Sequence, residues 1–147
     1  MVAYNKFNVF VEDLANKIHD LFGSPIGDSL KLMLTNVAPV ATNSVKADLT
    51  EIAAGNGYTA GGEAVSANGT RASGTVTLDG DQVVWTSSGA GMATFRYVAL
   101  YNDTPAGPVD PLITWWDYGS GLALAAGETF TVKFNNTNPD GTIFTLA

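Results

Sequence analysis

The sequence predicts a mainly β protein: an antiparallel β-sandwich or partly open barrel of about seven or eight strands, led by one N-terminal amphipathic helix. Three observations predict it. Glycine is frequent, 16 in 147 residues, and Thr, Val and Ala recur between turn-forming pairs. Beyond residue 29, apolar and polar residues alternate with the period of a strand in segment after segment. Helical periodicity occurs once, at the start. The length suits a single domain, 1–147, with a hydrophobic core of its own.

Phe7, Phe10, Val11, Leu14, Ile18 and Leu21 fall on one stripe at helical spacing, with Asn8, Glu12, Asp13, Asn16, Lys17 and Asp20 between them. A helix is therefore expected over about 5–22, capped by Asn5 and stopped by Gly23-Ser24-Pro25. Its apolar stripe needs a sheet to lie on, which the body from about 29 to 147 supplies. "SLKLMLTN" reads as a strand with Leu30, Leu32 and Leu34 on one face and Lys31 and Met33 on the other. "APVATNSVKADLTEIAAGNGYTAGG" is a long connection anchored by Leu49, Ile52 and Tyr58; its Gly-Asn-Gly and Gly-Gly groups keep the backbone loose or permit positive φ. "GTVTLDGDQVVWT" reads as a hairpin, 75–78 and 82–86 around an Asp79-Gly80 turn. "TFRYVALYND" and "PLITWWDYG" are the next strands. "ETFTVKFNN" alternates Phe130, Val132 and Phe134 inward with Thr131 and Lys133 outward, and Pro139-Asp140-Gly141 turns the chain into a last strand, "TIFTLA".

Adjacent tryptophans on a strand point to opposite faces, so Trp115 and Trp116 raise the question of what covers the second. Alternation sets Tyr97, Ala99 and Tyr101 against Val98 and Leu100. It likewise sets Ile113, Trp115 and Asp117 against Leu112, Thr114, Trp116 and Tyr118. Both faces carry large apolar groups. This part of the sheet is expected to be covered on both sides, by the helix on one and a neighbouring subunit on the other. Tyr97, Tyr101, Trp115, Trp116 and Tyr118 are the candidate interaction residues, for a protein partner or for stacking on sugar rings.

Composition excludes several functions. Seven basic against fourteen acidic residues leave a net charge of −7, the wrong sign for gripping nucleic-acid phosphates. Without cysteine there is no disulfide, thiolate nucleophile or zinc-thiolate site. No apolar run reaches the roughly 18 residues of a membrane span. The opening residues lack the basic and apolar regions of a secretory signal, so a chain made and left in a cytoplasm is expected.

The single histidine, His19, cannot alone form a metal cluster or a triad. It reads as a partly exposed residue near the end of the helix, favoured there by the dipole. Of the close carboxylate pairs, Glu12-Asp13 falls on the polar helix face and Asp79-Asp81 in a turn, neither flanking a cleft as glycoside hydrolysis requires. Asp103, Asp110 and Asp117 frame one loop and read as turn chemistry rather than a cation site. No enzyme activity, cofactor or metal is expected.

Four segments, "AYNKFNVFVEDLANKIHDL", "LTNVAPVATNSVKADLTEIAAGNGYTAGG", "FRYVALYNDTPAGPVDPLITWWDYG" and "GETFTVKFNNTNPDGTIFTLA", resemble a widespread set of small structural proteins of tailed bacteriophages. The likeness covers nearly the whole chain and is weakest between about 63 and 93. It implies a virion component made in the host cytoplasm, and it carries no catalytic or ligand motif across. Within that class, a compact, β-rich, cysteine-free chain with few charges suits a capsid decoration (cement, or auxiliary) protein on the capsid surface. Its partners would be copies of itself, as a closed homo-oligomer such as a trimer, and the phage major capsid protein. A tail, neck or fibre component and a host-glycan-binding module are the alternatives.

Overall fold

The structure, a computed structural model, describes residues 4–134 and 140–147. Among these residues there are ten strands and one α-helix. In chain order they are β1 (Tyr4–Lys6), α1 (Val9–Ala15), β2 (Leu30–Thr35), β3 (Glu63–Val65), β4 (Ala67–Ala72), β5 (Thr75–Asp81), β6 (Val83–Thr86), β7 (Met92–Asn102), β8 (Leu112–Leu124), β9 (Thr129–Val132) and β10 (Asp140–Leu146). All pairings are antiparallel. A five-stranded sheet has the order β1-β8-β7-β2-β3; a three-stranded sheet, β10-β5-β4, and a ribbon, β6-β9, complete the fold. The sheets are packed as in a sandwich, and none closes into a barrel.

The main core lies between them. The large sheet contributes Leu30, Leu32, Leu34, Val98, Leu100 and Ile113, and the opposite layers contribute Leu78, Val83, Trp85, Ile143 and Phe144. The alternation expected in β2 holds: its leucines enter this core, while Met33 is buried on the other face and Lys31 is half-buried there. That other face carries a second, smaller cluster of Phe7, Met33, Ala99, Tyr101 and Leu112, with Val9, Leu49 and Trp115 against it. The long connection is anchored as its sequence suggests, by Tyr58 and Ile52 on the main core and Leu49 on the smaller cluster. Its Gly55, Gly57, Gly61 and Gly62 all take positive φ, the second of the two roles expected of them. Gly62 has φ +75, and a Cβ there would collide with the Leu32 carbonyl oxygen.

The helix is much shorter than the stripe predicts. Residues 4–6 form an edge strand on β8 instead, pairing Tyr4 with Trp116 and Lys6 with Thr114, so Asn5 lies in a strand and the N-cap position of the helix falls to Asn8. The helix ends in a Schellman arrangement: Ile18 N–H donates to the Asp13 carbonyl (2.9 Å) and Lys17 N–H to that of Leu14 (3.2 Å). Lys17 takes the left-handed conformation usually given to glycine, φ 59. The stripe divides accordingly. Phe10 enters the main core and Phe7 the smaller one, Val11 is exposed, and Leu21 is buried from an irregular segment. Tertiary burial of Phe7 and Leu21 on separate surfaces outweighs continuing a regular helix through both.

The Asp79-Gly80 pair is not a turn. β5 runs straight through it and pairs with β4 on one side and β10 on the other. Gly80 is glycine because a Cβ would lie 2.8 Å from Ile143 Cδ1. The hairpin turn lies earlier, at Ser73-Gly74, with φ 48 and 85, joining paired Ala72 and Thr75. Asp140 and Gly141 belong to β10, opposite Asp81 and Gly80. The rest of the turn expected around Pro139, and the end of the strand expected to reach residue 136, lie outside the described residues.

Beyond β4, two hydrogen bonds link Gly23 and Gly69 reciprocally (3.0 and 2.8 Å), and Ile26 N–H donates to the Ala67 carbonyl (3.3 Å). The segment after α1 is thereby laid along the outer side of β4.

Candidate functional site

β7 and β8 form the longest pair in the protein, and the candidate aromatics lie on it. The register slips between Leu100, opposite Thr114, and Tyr101, opposite Leu112, leaving Ile113 as an extra residue. This bulge resets the alternation. Ile113 and Trp116 face the main core, whereas Leu112 and Trp115 face the smaller cluster, so the expected grouping of Ile113 with Trp115 does not hold. The two tryptophans do point to opposite faces. Each is half-buried by its own chain. Phe7 lies over Trp115, ring centroids 4.4 Å apart; Trp116 meets Tyr4 at 6.2 Å and Phe134 at 5.7 Å. The cover expected from a neighbouring subunit is in part supplied by the N-terminal residues.

The other candidates differ. Tyr101 is fully buried, its hydroxyl donating to the Gly61 carbonyl (2.7 Å), and burial pushes its ionisation well above the ordinary tyrosine value. It has no surface to offer a partner. Tyr97 is buried too, its ring beneath the Arg96 guanidinium at 5.1 Å. Arg96 grips Asp117 with two hydrogen bonds (2.7 and 2.8 Å), which with the Gly119 N–H holds that carboxyl below its usual range. Tyr118 is about half exposed and meets Phe130 edge-on at 6.0 Å. Trp115, Trp116 and Tyr118 therefore remain as aromatics with accessible surface, and Tyr97 and Tyr101 serve packing.

Two of the three loop carboxylates are ion-paired within the chain. Asp103 pairs with Lys31 (2.8 Å) and Asp117 with Arg96, while Asp110 takes a left-handed backbone and its carbonyl accepts the Lys46 N–H (2.9 Å). Glu51 organises the long connection, accepting from the Tyr58 hydroxyl (2.6 Å) and the Gly61 N–H (2.5 Å). Among the described residues, no three His, Asp or Glu side chains gather as a metal site, and no helix is long and apolar enough to cross a membrane.

His19 departs most from expectation. It is neither helical nor exposed: its side chain is sealed off from solvent in the segment after α1. Nδ1 lies 3.0 Å from Asn102 Nδ2, at the end of β7. That amide also donates to Asp28 Oδ2 (2.5 Å), while its Oδ1 accepts the Thr104 N–H (3.1 Å). Because Asn102 Nδ2 can only donate, Nδ1 is the acceptor and the ring proton sits on Nε2. Nε2 stands 3.9 Å from Asp13 Oδ2, beyond hydrogen-bond reach, and both atoms are buried without a partner. Burial lowers the histidine to about 4, against the pull of Asp28, and burial together with Glu12 raises Asp13. Along the same segment opens a groove of about 420 Å³ lined by His19 with Leu14, Leu21, Phe22, Val76 and Leu146, and with Asp20 and Arg71 among its walls. Asp13, His19, Asp28 and Asn102 share no sequence spacing. Only the burial of a lone histidine ties them together.

No family model, curated protein or solved structure matches this chain.

Proposed function

We propose that this chain is a structural component of a tailed-bacteriophage particle. In this reading it is a capsid decoration protein that braces neighbouring shell subunits by protein–protein contact and performs no reaction. The sequence resemblance supplies the class. One structural observation carries the mode of action. The faces of the large sheet are filled mainly by the chain's own residues, yet Val11, Phe22, Val37, Val40 and Val109 each remain more than half exposed. Apolar groups left over after the core is complete suit a contact surface better than a pocket. The half-covered Trp115 and Trp116 and the exposed Tyr118 add aromatic area of the kind that anchors interfaces. The net charge of −7 suits the outside of a shell, where attraction to the packaged genome would be a disadvantage.

The test is binding and stoichiometry. Purified protein is mixed with expanded capsids lacking it, sedimented, and counted on a stained gel against the major capsid protein. Copies in proportion to capsomers support decoration. A small fixed number per particle points to a tail, neck or fibre position. A monomer that never binds capsids overturns the reading, and specific retention on a glycan array would replace it with sugar binding.

A further inference from the structure

We infer that His19 and Asn102 form an acid-sensitive latch, which holds residues 16–28 against the end of β7 while the imidazole is neutral and releases them when it gains a proton. The reason is the direction of the hydrogen bonds. Neutral His19 accepts from Asn102 through Nδ1 at 3.0 Å. A proton on Nδ1 would set one donor against another at that distance. Asn102 cannot turn its amide over to compensate. Its Nδ2 is committed to Asp28 Oδ2 (2.5 Å) and its Oδ1 to the Thr104 N–H (3.1 Å), so a flip would break both and set Oδ1 against a carboxylate. The latch holds its segment from both sides, since the same Asp28 carboxylate accepts the Asp20 N–H (2.6 Å) and Asp28 N–H returns to the Asp20 carbonyl (3.2 Å).

The charged surroundings are mainly acidic. Asp13 on α1 stands 3.9 Å from Nε2, with Glu12 beside it; Asp28 lies beyond Asn102, followed by Asp103 on the same loop end; Asp20 adjoins the ring in sequence. These carboxylates favour an imidazolium. Arg71 of β4 lies on the groove wall. Burial of the ring outweighs the carboxylates, and the histidine falls to about 4. Released into water it would return to about 6.5. Release is therefore favoured about 30-fold more at pH 5 than at pH 7.5 by proton linkage.

Peptide-resolved hydrogen exchange on the whole protein tests this, with each rate divided by its intrinsic rate at that pH. The amides of Asp20, Gly23, Ile26 and Asp28 should lose about 30-fold in protection between pH 7.5 and pH 5. In His19→Gln, whose side chain does not titrate but can still accept from Asn102, their protection should be flat over that range. No loss in the native protein, or an equal loss in His19→Gln, overturns the latch. If His19→Gln fails to fold, an NMR titration decides, because the chain has one histidine and its ring signals are unambiguous. An Nε2-protonated ring that resists protonation at pH 5 while the segment loses protection supports the latch. A ring titrating near its free value in the folded protein overturns it.

Discussion

Replacing Phe7 with alanine tests how the second face of the large sheet is covered. The ring is fully buried, lies 4.4 Å from Trp115, and is enclosed by Met33, Ala99, Tyr101 and Leu112, all equally buried. Phe→Ala in a core costs about 3–5 kcal/mol, depending on how far the surroundings collapse. Collapse is limited here, because those four neighbours sit on β2, β7 and β8, whose spacing is fixed by ladder hydrogen bonds. About 4 kcal/mol is therefore expected, a large part of the roughly 5–15 kcal/mol that holds a domain folded. At about 2–4 °C per kcal/mol for a chain near this size, melting should fall by about 8–16 °C. Urea unfolding followed by far-ultraviolet circular dichroism gives the free energy from the midpoint at unchanged slope. Tryptophan emission of the folded variant should shift to the red as Trp115 is uncovered. A loss below about 1 kcal/mol with unchanged emission would mean that Phe7 does not seat on its own sheet, and the account of a self-covered protomer would fail.

Phe10→Ala should cost about 3–5 kcal/mol by the same urea assay, since its ring is buried in the main core beside Phe144 at 5.2 Å. Asp13→Asn should leave stability at pH 7 unchanged or raise it by about 1 kcal/mol: its carboxyl titrates higher in the folded protein, so ionisation at neutral pH works against folding, and the amide removes that cost. His19 has the opposite sign. Its folded value of about 4 lies below that of the unfolded chain, so its contribution, up to about 3 kcal/mol, is complete above pH 6.5 and disappears as pH falls to 4. Urea midpoints of the native protein and His19→Gln over that range should converge in acid. Gly62→Ala should abolish or severely weaken folding, because the new Cβ meets the Leu32 carbonyl; Gly119→Ala, at φ +99 in open space, should cost only about 1–2 kcal/mol of backbone strain in the same melt.

Local signals were readable where local physics decides. The leucines of β2 declare their face because one row fills the main core and Met33 reaches a separate one. The expected anchors Leu49, Ile52 and Tyr58 hold the long connection because a segment that long needs apolar contacts to order it. The misreadings share a cause, a long-range contact overruling a short-range pattern. Helical spacing runs from Phe7 to Leu21, but nothing in it reveals that β8 would claim Tyr4 or that Leu21 would be buried from outside a helix. Asp79-Gly80 has hairpin composition, yet its glycine answers to Ile143 sixty-three residues later. Ile113 looks like any strand residue until the register with β7 makes it a bulge. The His19 cluster was invisible for the same reason: its hydrogen-bond partner Asn102 is 83 residues away.

The reciprocal hydrogen bonds between Gly23 and Gly69 have a consequence for solution behaviour. An unguarded sheet border recruits strands from other molecules, and proteins commonly blunt it with lysine or proline. Here a strap of the chain's own backbone occupies positions 67 and 69, leaving only 70–72 and the turn beyond, too little to seed an intermolecular ladder. Conditions that lift the strap would convert that border into a template for polymerisation.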